Sequence, residues 1–122
     1  MQFQVDIWLR GNNHATTETL APVPREPRAW TDADVMSVLE EMLRALERAR
    51  FPDTAPDRPV ALRGFSWIVS PFEGGGHTVA VEIQIGAAAA GPFDVDPQEL
   101  EATITRVMAE DRLPARQSPL VH

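Results

Sequence analysis

The stretch SPFEGGGHTV, Ser70 to Val79, sets three glycines directly before a histidine. A glycine loop can cradle phosphate or an oxyanion with its backbone amides, and a histidine beside a carboxylate can move a proton. A phosphate loop delivers the chain into a helix N-terminus and carries a Gly-Lys-Ser/Thr or GxGxxG signature. Here the β-branched run HTVAVEI follows, and the chain contains no Lys. An oxyanion loop needs a nucleophile elbow, and no GxSxG occurs. Gly74, Gly75 and Gly76 therefore read as a hairpin loop. The alternative is a ligand-contacting loop in which His77 and His14 would carry enzymatic or binding chemistry.

His14, His77 and His122 stand far apart, without the i, i+4 spacing that puts two ligands on one helix face. They read as a turn residue, a loop-end residue and a terminal residue, so no metal and no cofactor is expected. The acidic pairs have local explanations. Glu40-Glu41 has Arg44 one turn on and Arg48 two turns on along a solvated helix face, Asp96 suits a helix cap, and Glu110-Asp111 falls at a helix end. With no Cys, disulfides, thiolate metal sites and Cys nucleophiles are excluded.

A net charge of −7 argues against nucleic acid as a partner. The span from Gly91 to Asp111 holds six acids against Arg106 alone. Such a field would steer a basic protein, which gives one alternative function, an acidic inhibitor or immunity-type protein. Asp6 interrupts the apolar start and no basic segment precedes it, so no signal peptide is read. No apolar run approaches the roughly 18 to 20 residues of a membrane span, and the expectation is a cytoplasmic protein with no membrane partner.

The elements that would position these residues are legible from periodicity. Phe3, Val5, Ile7 and Leu9 alternate with polar residues and Trp8, the period of a half-buried strand. His14 to Leu20 is Thr-rich and can hairpin back through Gly11-Asn12-Asn13 as an extra edge strand. Trp30 to Arg50 places Val35, Val38, Leu39, Met42, Leu43 and Leu46 on one helical face. Thr31 and Asp34 form the signature of a capping box, and Phe51-Pro52 stops the helix. Val60 to Phe72 and His77 to Ile85 read as strands. GAAAAGP reads as a small-residue connection, a frayed strand end or a place where another backbone comes close. Asp96-Pro97-Gln98-Glu99 opens a second helix with Leu100, Ile104, Val107 and Met108 buried, ending near Arg112.

A three-residue glycine loop sets Glu73 against His77, Val69 against Val81, Trp67 against Ile83 and Phe65 against Ile85, one coherent apolar face. The expected fold is α+β, a two-layer sandwich of a mainly antiparallel sheet of three or four strands with two helices packed on one face, in the order β(β)αββα. Residues 1–113 form the domain and 114–122 a tail. The sheet face away from the helices then carries Asp6, Trp8, Ile68, Glu82 and Gln84, polar residues around an aromatic and aliphatic centre. Either the 11–29 segment folds over Trp8, or a partner does. The leading reading is a small non-catalytic protein that acts by binding, a homo-oligomer through this face or an edge strand, or a binder of another protein.

Overall fold

The computed structural model describes residues 1–53 and 60–112, the last three by their backbone alone. The chain forms β1 (Phe3–Leu9), β2 (Thr16–Leu20), a single 3-10 turn (Pro27–Ala29), α1 (Asp32–Arg50), β3 (Ser66–Pro71), β4 (His77–Ile83), β5 (Gly86–Phe93) and α2 (Pro97–Arg112). The expected α+β class is observed, but the sheet has five strands in the order β2-β1-β5-β4-β3, and every neighbouring pair is antiparallel. The tail expected at 114–122 lies outside the described residues.

The extra strand is β5, which corrects the reading of GAAAAGP as a connection. Ile83 pairs with Gly86 across the two-residue turn Gln84-Ile85, so the chain reverses there and the alanines run back beside β4. On its other side β5 pairs with β1, from Val5↔Ala90 to Leu9↔Gly86. Close backbone approach is real at Gly86: a methyl there would overlap the Trp8 carbonyl oxygen and stand 3.0 Å from Leu9 Cα. A glycine is required where two strands come this close.

The strand expected over Val60 to Phe72 is shorter, because Gly64 takes φ +77° and breaks the extended run before Ser66. Leu62 is fully buried without belonging to a strand. The hairpin register also shifts by two residues. Pro71 pairs with His77, Val69 with Val79 and Trp67 with Val81, so the loop is Phe72 to Gly76 and Glu73 does not face His77. The Phe72 amide donates to the Gly76 carbonyl at 3.0 Å and the Gly75 amide to the Phe72 carbonyl at 2.9 Å, closing a wider turn than three glycines alone would. A shift of two preserves which side chains share a face, so the expected apolar face survives with different partners.

The helices begin where their caps dictate. Thr31 Oγ1 accepts the Asp34 amide at 3.2 Å and Asp34 Oδ2 accepts the Thr31 amide at 3.0 Å, a reciprocal capping box. Arg25 adds a two-pronged ion pair to the same carboxylate, at 2.7 and 2.9 Å. Asp34 is buried, and the Arg25 guanidinium together with the Thr31 amide holds its carboxyl well below the usual carboxylate range. Asp96 Oδ2 accepts the Glu99 amide at 2.9 Å to open α2.

α1 packs on β1 and β5, α2 packs on β3, and the two helices pack on each other. Their buried stripes, Val35, Val38, Leu39, Met42 and Leu46 from α1 with Leu100, Ile104 and Val107 from α2, meet Val5, Ile7, Val79, Val81, Ala88 and Ala90 of the sheet. Phe93 closes one end of this core, edge-on to both Phe3 (5.1 Å) and Trp30 (4.9 Å). All helical packing thus falls on one face of the sheet.

Candidate functional site

The other face is fixed by strand parity and register. Its rows run Thr17–Asp6–Ala89–Ala80–Ile68 and Trp8–Ala87–Glu82–Ser66 across the strands. Among the described residues no helix packs against it in the way α1 and α2 pack on the other face, and Trp8 and Ile68 remain 46% and 59% exposed. The 11–29 segment does not fold over Trp8. Thr16–Leu20 extends the sheet sideways as β2, and Leu20, Val23 and Pro27 turn into the core on the helical side.

Trp8 and Ile68 do not touch. They belong to β1 and β3, with β5 and β4 between them, a separation of about 14 Å at the usual strand spacing. Between them lie Ala80, Ala87 and Ala89, whose methyl groups leave the middle of the face low. A depression of about 140 Å3 opens there, lined by Ser66, Ile68, Ala80, Glu82 and Ala87. Trp8 pairs with Ala87 and so stands above its neighbour as a ridge beside the depression.

Several polar groups of this face hold one another. Asp6 accepts the Thr17 hydroxyl at 2.8 Å. Arg10 donates through Nε to the Gln84 carbonyl at 2.9 Å and reaches Glu82 at 3.4 Å. Pairs this exposed add little to stability. Their effect is to leave a face with polar margins and an apolar middle, the layout of a contact surface.

The other sequence-derived candidates separate. Gly74, Gly75 and Gly76 all adopt positive φ (110°, 112° and 81°), as a turn of this kind demands, and a strand rather than a helix follows them. His77 begins β4 beside Pro71 and Phe93, with Nδ1 buried and without a hydrogen-bond partner among the described residues. His14 lies beyond the other end of the sheet, where Leu9 pairs with Gly86, on the wall of an open cleft of about 540 Å3 with Thr16, Glu18 and Arg48. A seven-residue β4 separates those ends by roughly 20 Å, so the two histidines do not share a site. Among the described residues no group of three or more His, Asp or Glu is placed to hold a metal. No helix among them is long and apolar enough to cross a membrane.

The acidic span 91–111 is divided as well. Gly91 and Phe93 end β5, Asp94 pairs with Arg28 at 2.8 Å, and Asp96 is spent as a helix cap. Sequence reasoning placed Trp8 and Ile68 on this face by parity and missed the depression, because Ala87 belongs to a strand with no alternation to betray it. Comparisons with models of protein families, with curated proteins and with solved structures give no match.

Proposed function

We propose that the protein acts by binding, and that its open sheet face is the surface through which copies of the chain associate. The observation that supports this reading is the sheet face away from the helices, where an exposed Trp and Ile flank a shallow depression floored by alanines. Burying a large apolar side chain contributes roughly 1.5 to 3 kcal/mol, and a two-fold arrangement uses each such group twice. The face is a better candidate than the edge at β3. At the β3 edge, Pro71 has no amide to donate.

Light scattering on the parent and on Trp8→Glu tests the reading. The parent should run above the 13.5 kDa of a single chain, and the variant should fall to it with an unchanged far-UV dichroism spectrum. Equal masses for the two would remove the face from consideration.

A further inference from the structure

We infer that two copies pack face to face about a two-fold axis parallel to the strands and just on the β4 side of β5, with Trp8 of each copy seated in the depression of the other. This inference rests on the self-association proposed above and specifies how it is built. Across the sheet, Trp8 lies one strand from β5 on the β1 side, and the depression lies between one and two strands from β5 on the β4 side. Trp8, Ala87, Glu82 and Ser66 share one row, so ridge and depression also agree along the strand direction. A rotation of 180° about an axis parallel to the strands keeps the row and exchanges the sides. With the axis on the β4 side of β5, Trp8 of one copy falls on the depression of its partner, and the reverse contact forms by symmetry.

Three further observations favour a second copy as the occupant. Beside the axis lie Ala87 and Ala89 of both copies, and methyl groups allow the sheets to approach closely enough for the indoles to fill the depressions. The chain carries 18 acids and a net charge of −7, yet the strand positions of this face hold only Asp6 and Glu82, the latter paired with Arg10. Two strongly acidic copies could therefore meet here with little repulsion, whereas a basic partner would find little to hold. Five strands of five to eight residues present a projected face of roughly 24 by 20 Å, or about 1,000 Å² over two copies, near the lower bound for a specific interface. The dimer should accordingly dissociate on dilution.

The test removes the ridge in one chain and fills the depression in another. Trp8→Ala has an open depression and no ridge; Ala80→Trp has a ridge and a filled depression. Each alone should be monomeric at concentrations where the parent is dimeric. An equal mixture should recover a heterodimer by light scattering, because one native ridge meets one native depression and the second contact joins a small residue to a filled hole. Recovery also proves that both variants are folded. If both are monomeric with parent-like dichroism and the mixture remains monomeric, the face associates but Trp8 does not occupy the partner's depression, which overturns this inference alone. Two variants as dimeric as the parent, or a parent that is itself monomeric, would overturn the self-association reading with it. Ala80→Met replaces Ala80→Trp if the larger residue unfolds the chain.

Discussion

Gly86→Ala probes the junction of β1 and β5, on which the whole sheet and the placement of Trp8 depend. An added methyl would overlap the Trp8 carbonyl and press on Leu9 Cα at 3.0 Å, contacts with backbone that no rotamer change relieves. The two central strands would have to part locally by about 1 Å, against a pairing in which Leu9 faces Gly86 and the Arg10 amide donates to the Ile85 carbonyl at 2.9 Å. Overpacking of this kind costs about 1 to 3 kcal/mol, and weakening one ladder hydrogen bond adds about 1 kcal/mol. The expected loss is about 2 to 4 kcal/mol, which for a chain of 122 residues is a fall in Tm of roughly 8 to 16 °C. Thermal unfolding followed by far-UV dichroism, with a urea titration to confirm the free energy, reads this directly. The neighbouring Ala87→Gly is the control and should cost about 1 kcal/mol, the ordinary penalty of glycine in a strand. A Gly86→Ala melting point within about 2 °C of the parent would refute the close approach and, with it, the insertion of β5 beside β1.

The glycine loop separates conformation from crowding. Gly75→Val, with open space around it, should cost about 1 to 3 kcal/mol through its positive φ alone. Gly76→Ala adds contact with the Phe93 carbonyl at 2.9 Å and should melt lower than Gly75→Ala in the same thermal assay. Asp34 should govern the acid limb of stability. Its folded pKa is depressed, so its contribution is present above the unfolded value of about 3.9 and is lost as pH falls below it. Asp34→Asn should be less stable than the parent at pH 7 and show a shallower loss below pH 4 in urea titrations repeated across pH; parallel curves would count against the Arg25 and Thr31 contacts. His14→Ala and His77→Ala should each leave metal content and melting nearly unchanged, and stoichiometric metal lost in both would contradict the separation of these residues to opposite ends of the sheet.

The helices were legible in the sequence because their signals are local: a 3.6-residue apolar stripe, and caps at Thr31 and Asp96 whose partners lie three residues away. Strand parity was legible for the same reason, and it placed Trp8 and Ile68 on the face away from the helices. Pairing was not. The hydrophobic alternation of Trp67, Val69, Val79 and Val81 tolerates a slip of two residues without moving any side chain to the other face, and only the length of the loop decides between registers. Phe72 and Glu73 look like strand continuation in sequence but belong to that loop. β5 was hidden twice over, since four consecutive alanines have no period and the Gln84-Ile85 turn lacks the Gly, Asn or Asp that marks a tight hairpin. The depression needed β5 to exist, so only half of the candidate surface could be read from the chain.

Sedimentation equilibrium of the parent over a concentration series tests the role of the open face most directly. The weight-average mass should rise from 13.5 kDa towards twice that value as concentration increases, while Trp8→Glu stays at 13.5 kDa throughout. A parent fixed at 13.5 kDa at every concentration, or a Trp8→Glu variant that assembles as the parent does, would contradict association through this face.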